Sequence, residues 1–175
     1  RLGHGQLQDQ LILFDPLSGN TMGETAENVA EKYNVSREDQ DAFGLRSQQL
    51  AETAIKAGKF KEQIVPVEIP QRKGDPKIFD TDEHPRFGTT IEALQKLKPA
   101  FRKGGTVTAG SSSGMNDGAS ALVVMAKDKA DQLGIKPMAS IVSYASVGVD
   151  PAYMGIGPIP ATRMALEKAG LTIKD

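Results

Sequence analysis

No cysteine occurs among the 175 residues, which excludes disulfides, thiolate metal sites and cysteine nucleophiles from this chain. Tryptophan is also absent and aromatics make up only 5% of the composition, so the core is expected to be aliphatic. Charge of one sign is missing too. A formal net charge of −1 provides no global field for nucleic acid or an anionic membrane, and any anion site must be a local cluster. No apolar run approaches the length of a membrane span, and the opening RLGHGQLQDQ has no signal-peptide core; a cytoplasmic location is expected. The chain has no initiator methionine and opens in mid-pattern, so a piece of a longer protein is expected. Metal-ligand spacing is lacking as well: His4 and His84 lie far apart, and the DTDEH run reads as a solvated charge cluster.

What is present is a chain long enough for one substantial core, with 39% hydrophobic residues, as in soluble globular proteins. Its first half reads as helical. Thr21 and Glu24 fit a capping box opening ETAENVAEKY, and Ser36 and Asp39 repeat the signal before a longer helix. In that helix Phe43, Leu50, Ala51, Ala54 and Ile55 fall at helical spacing until Gly58, and Asn34 makes the turn of a helical hairpin. FKEQIVPVEIPQ alternates apolar and polar residues, but Pro66 and Pro70 confine it to an edge or an extended arm. The charged, proline- and glycine-rich segment 71–88 reads as a surface excursion. A third helix is expected from Thr90, with Ile91, Leu94 and Leu97 inward and an end before Pro99.

At Gly104 the character changes. SALVVMA (120–126) reads as a buried strand and ASIVSYASVGV as another strand, and KDKADQLG and PIPATRMALEKAG as helices closed by Gly134 and Gly170. Strand, helix, strand, helix is the α/β pattern. The expected division is a mainly helical excursion, 1–103, followed by part of an α/β body, 104–175.

Between these parts lies GGTVTAGSSSGMNDGAS, small residues that let either a ligand or another part of the protein approach the backbone. It lacks the lysine of a phosphate loop and precedes its strand, so the dinucleotide fingerprint fails as well. It closely resembles the TVTAGNxSGxNDGA segment of the thiolases, the acetyl-CoA acetyltransferases. MGETAENVAEKY, SREDQDAF, GKFKEQIVPV, RKGD, LKPAF and VGVDPAYMGIGPIPA match in the family's order, so the resemblance covers nearly the whole chain.

The resemblance implies a layered αβαβα fold of two similar halves, with a loop domain inserted in the first half to bind coenzyme A. Residues 1–103 would be most of that loop domain, 104–137 the end of the N-terminal half and 138–175 the start of the C-terminal half. It also implies ping-pong acyl transfer that condenses two acetyl-CoA units or cleaves a 3-ketoacyl-CoA. That chemistry uses a cysteine nucleophile, a histidine in GHP, an asparagine in NEAF and a second cysteine in CxG. None of these motifs is present, so no catalytic residue is assigned here; the nucleophile is expected before Arg1 and the other three after Asp175.

Substrate-binding positions carry over singly. Ser113 matches the serine that hydrogen-bonds the pantetheine arm, with Ala109, Ser112 and Met115 on the same wall. Arg86 matches an arginine beside the nucleotide, Met22 a methionine beside pantetheine, Phe101 a pocket aromatic and Met154 a residue over the acyl end. Ser111 stands where the family usually has Asn, which puts the hydrogen bonds of this loop in question. The expected partner is an acyl-CoA substrate with no further cofactor, no nucleic acid and no membrane, in a homo-oligomer, dimer or tetramer. The rival reading is a free-standing coenzyme A-binding or oligomerisation module without catalysis.

Overall fold

The computed structural model describes residues 14–175, in two compact units divided between Gly114 and Met115. His4 lies outside the described residues.

In the first unit, α1 (Met22–Tyr33) starts where the Thr21 hydroxyl accepts the Glu24 amide at 3.3 Å and Glu24 Oε2 accepts the Thr21 amide at 2.7 Å. These two bonds satisfy orphan amides at the helix start. The Thr21 backbone amide, and after it the Thr21 hydroxyl, which donates to Glu24 Oε2 at 2.9 Å, hold the Glu24 carboxyl below its ordinary range. Asn34 closes α1 in the left-handed region at φ 54°, a conformation asparagine tolerates better than most residues. Helix α2 (Arg37–Lys56) is capped by Ser36, whose hydroxyl accepts the Asp39 amide at 3.0 Å, and it ends before Gly58.

Strands β1 (Val67–Ile69) and β2 (Lys77–Phe79) pair antiparallel, Val67 opposite Phe79. The prolines leave β1 on an edge, as the sequence requires, but its partner arises inside the segment that reads as irregular. Helix α3 (Ile91–Gln95) is capped by Thr90; Leu94 is buried, Ile91 is half-buried and Leu97 stays exposed.

The apolar residues buried here are Ala30, Leu94 and Val107, which fits an aliphatic core, but Thr25, Glu27, Asp41 and Thr108 are buried beside them. The face of α2 differs from its apolar period. Phe43 and Leu50 are 70% and 54% exposed, whereas Asp41 and Gly44 are buried. The reason is steric. A Cβ on Gly44 would lie 2.7 Å from the Gly110 carbonyl oxygen, so only glycine admits that backbone.

The second unit contains α4 (Lys127–Gln132), a 3₁₀ turn (Pro151–Ile156) and α5 (Pro158–Ala169), which Gly170 closes at φ 66°. The Ser143 hydroxyl donates to the Ala165 carbonyl at 2.8 Å and Lys168 donates to the Tyr144 carbonyl at 3.2 Å, pinning residues 143–144 to α5. The two segments expected as strands, 120–126 and 140–147, form no ladder among the described residues. Leu122, Val123, Ile141 and Val142 accordingly remain exposed. Apolar sequence supplies the strand propensity, but a ladder also needs a partner edge.

Candidate functional site

The glycine-rich stretch is built from α1 outward. Glu27 sits on the same face of α1 as Gly23 and Ala30 and is only 3% exposed. Its carboxylate accepts the Thr106 amide at 2.9 Å, the Val107 amide at 2.8 Å and the Thr106 hydroxyl at 3.2 Å. Hydrogen bonds to a charged acceptor are about twice as strong as neutral ones, and here they compensate the burial of the charge. Gly105 is where the chain must come closest, because a Cβ there would run into the Glu27 carboxylate. From α2, the Gln40 amide donates to the Thr106 hydroxyl at 2.8 Å.

On the far side, Gly110 packs under α3, a Cβ there falling 2.7 Å from Leu94 Cδ2 and 3.0 Å from Leu97 Cδ1. Arg37 holds the end of α3 in place: its Nη2 donates to the Leu94 carbonyl at 2.8 Å and the Leu97 carbonyl at 3.0 Å, while its Nε pairs with Asp41 at 2.8 Å. Thus Gly105 and Gly110 are small because the protein's own atoms lie against them, and they leave no room there for a ligand.

Hydroxyls between and beyond these glycines have different fates. Ser111 Oγ accepts the Thr108 amide at 3.0 Å and donates to the Thr108 carbonyl at 3.3 Å. Serine therefore closes the turn. Ser112 donates to the same carbonyl at 2.7 Å, and Thr108 Oγ1 accepts the Gly110 amide at 3.1 Å. Ser113 is exposed and its hydroxyl has no partner among the described residues. Ala109, also exposed, lies on the same turn.

Arg86 is carried by a loop fastened to the second half of α2. Its amide donates to Gln48 Oε1 at 2.9 Å, the Gly88 amide donates to Glu52 Oε2 at 3.0 Å, and Lys56 lies 5.7 Å from the centre of the Phe87 ring. The Lys56 hydrogen bond, then the Gly88 amide, hold the Glu52 carboxyl below its ordinary range. The backbone of Arg86 is thereby fixed, while its exposed guanidinium forms no ion pair or hydrogen bond among the described residues.

Phe101 lies across α1, its ring over Gly23 where a Cβ would collide with it. This brings Phe101 beside the first turn, which Met22 opens. The turn 98–104 around Phe101 borders an open depression of about 360 Å³. Arg102 in that turn is committed to Glu31 at 3.2 Å and to Asn28. In the second unit, Met115 is 78% exposed and Met154 is half-exposed within the 3₁₀ turn. No group of His, Cys, Asp and Glu that could hold a metal occurs among the described residues, and no helix is long and apolar enough to cross a membrane.

Glu27, Asp41 and Gly44 do not stand out in a sequence reading, since charged residues inside helices usually face water. The available signal was the small residues Gly23 and Ala30 flanking Glu27 at helical spacing.

The family model for the thiolase N-terminal domain matches residues 1–128 and that for the thiolase C-terminal domain matches residues 135–175. The chain belongs to the thiolase family and has its α/β fold. It is 62% identical over 174 residues to the acetyl-CoA acetyltransferase of Syntrophomonas wolfei, covering 98% of this chain and 43% of the relative. The acetyl-CoA acetyltransferase of Allochromatium vinosum is 57% identical, over 100% of this chain and 45% of its own length. Among solved structures, the Bacillus anthracis acetyl-CoA acetyltransferase superimposes with a TM-score of 0.83 at 50% identity, covering 99% of this chain and 44% of that one. Human mitochondrial 3-ketoacyl-CoA thiolase, solved in complex with CoA, gives 0.80 at 41% identity over 99% of this chain and 45% of that one. The chain thus spans less than half the length of these relatives.

Proposed function

We propose that this chain is the coenzyme A-binding part of an acetyl-CoA C-acetyltransferase that condenses two acetyl-CoA to acetoacetyl-CoA or cleaves a 3-ketoacyl-CoA. The reaction is ping-pong acyl transfer through a cysteine thioester, and the cysteine lies outside these residues. Within this reading, 1–103 is the loop domain, 104–137 ends the N-terminal half and 138–175 begins the C-terminal half. The enzyme is a cytoplasmic homo-oligomer that uses the coenzyme A thioester as substrate without a further cofactor.

The observation that carries this reading is which polar groups have no partner among the described residues. Ser111, Ser112 and Thr108 spend their hydroxyls inside the turn, and Ser113 does not. Ser113 is assigned the pantetheine hydrogen bond, with Ala109 and Ser112 forming the wall. Arg86, fixed at its backbone and with no guanidinium partner among the described residues, is assigned the nucleotide, where it stacks on adenine or meets phosphate. Met22 and Phe101 flank the pantetheine, and Met115 and Met154 of the second unit are assigned to the substrate as well.

Two substitutions in the complete enzyme test the assignments. Arg86 acts far from the chemistry, so Arg86→Ala is expected to raise KM and leave kcat nearly unchanged. An exposed charge pair contributes roughly 0–1 kcal/mol and stacking about 0.5–1 more. Ser113→Ala removes a hydrogen bond of about 0.5–1.5 kcal/mol close to the thioester and is expected to lower kcat as well. Steady-state kinetics with coenzyme A and with a pantetheine thioester lacking the nucleotide separate the two. If Arg86→Ala were equally damaging with the truncated substrate, its assignment would fail.

A further inference from the structure

Glu27 has no place in the proposed reaction, yet it is a buried carboxylate aimed at the backbone that leads into the wall. We infer that Glu27 is a positioning residue for coenzyme A binding: with Gly105 as its cradle, it fixes the entry of the turn that presents Ala109 and Ser113. The inference rests on the coenzyme A reading above.

Three observations carry it. The amides of Thr106 and Val107 both end on one carboxylate, which fixes two consecutive peptide planes. Gly105 permits the approach, because any Cβ there would displace the carboxylate. From Val107 the chain passes directly into the Thr108–Ser112 turn, which is closed by its own hydrogen bonds and so moves as a body. Its orientation is therefore set by Glu27 at its entry and by Gly110, in its middle, against Leu94 and Leu97. Loss of the Glu27 anchor is therefore expected to let the turn pivot about its Gly110 contact and to move Ser113 with it.

Glu27→Gln keeps the shape of the side chain but replaces one acceptor oxygen by an NH₂ group that faces a backbone amide. In the complete enzyme, at a temperature where circular dichroism reports the variant folded, KM is expected to rise about tenfold for coenzyme A and by the same factor for the pantetheine thioester. A tenfold change equals about 1.4 kcal/mol of binding. Amide hydrogen exchange of residues 108–113 should quicken in the same variant. A merely structural role would lower the denaturation midpoint and leave both KM values and the exchange of the turn unchanged; that result overturns the inference. Should Glu27→Gln fail to fold, Thr106→Val carries the same test, since it removes only the Thr106 hydroxyl that meets Glu27 and Gln40. A smaller rise for both substrates, about threefold, is then expected; no rise overturns the inference. The coenzyme A reading fails separately, and takes this inference with it, if the unsubstituted enzyme shows no saturable binding of coenzyme A.

Discussion

Purified alone, the 175-residue chain is expected to show no thiolysis of acetoacetyl-CoA above a buffer control. Acyl transfer of this kind needs a nucleophile that accepts the acyl group as a thioester, and the sequence contains no cysteine. The serines do not substitute for it. Ser112 gives its proton to the Thr108 carbonyl, which is no base, and Ser113 has no hydrogen-bonded partner among the described residues to take its proton. His84 is not hydrogen-bonded to either. What remains is binding without chemistry, whereas enzymes reach accelerations of roughly 10⁶-fold and more. The assay is release of acetyl-CoA from acetoacetyl-CoA and coenzyme A. Turnover that survives exhaustive removal of host thiolase would refute the claim.

The largest effect on stability is expected from Arg37→Met. Asp41 is 2% exposed, its Oδ2 is held by Arg37 Nε, and its Oδ1 is buried with no partner among the described residues. Helix propensity hardly distinguishes arginine from methionine, so the helix itself should be unaffected. Removing the guanidinium leaves the carboxylate uncompensated and frees the carbonyls of Leu94 and Leu97 at the end of α3. Breaking a buried pair costs about 3–5 kcal/mol, and about 3 is expected here because the Arg37 side chain is 21% exposed. Urea denaturation of Arg37→Met against the parent chain measures it. A loss of only about 0.3–0.5 kcal/mol, as for an exposed pair one helical turn apart, would show that Asp41 is not buried in this way. The double substitution Arg37→Met with Asp41→Leu should recover much of the loss, because no charge is then left without water.

Local chemistry made part of this fold legible. Thr21 with Glu24, Ser36 with Asp39, and Thr90 each mark a helix start through a hydroxyl that meets a nearby amide, and Gly58, Gly134 and Gly170 each adopt a positive φ after a helix. These interactions span a few residues and are written where they act. The buried face of α2 was illegible for the opposite reason: Gly44 is required by the Gly110 carbonyl, 66 positions away in the sequence. An apolar period therefore pointed to Phe43 and Leu50, which face water. β2 was hidden because Ile78 and Phe79 lie among charges and turn residues, and only pairing with β1 makes them a strand. The strands expected at 120–126 and 140–147 have strand-like composition without a pairing edge among the described residues.

For the candidate site, the residues alone left the glycine-rich stretch undecided between a ligand and the protein's own packing. Both uses occur, at different positions. Gly105 and Gly110 are taken up by Glu27, Leu94 and Leu97, whereas Ala109 and Ser113 face outward. The roles given to Ser113 and Arg86 came from the family resemblance, and neither side chain has a hydrogen-bond partner among the described residues. Glu27 escaped notice because its partners are backbone amides 79 and 80 residues away, which no side-chain pattern records.

The central claim is that this chain supplies the wall along which coenzyme A lies. A crystal structure of the complete enzyme with coenzyme A bound tests it most directly. The expected result places the pantetheine arm along Ala109–Ser113, with Ser113 Oγ at hydrogen-bond distance, about 2.6–3.2 Å, and the nucleotide against Arg86. Coenzyme A bound with Ser113 still facing solvent, and with no atom near Arg86, would contradict the account.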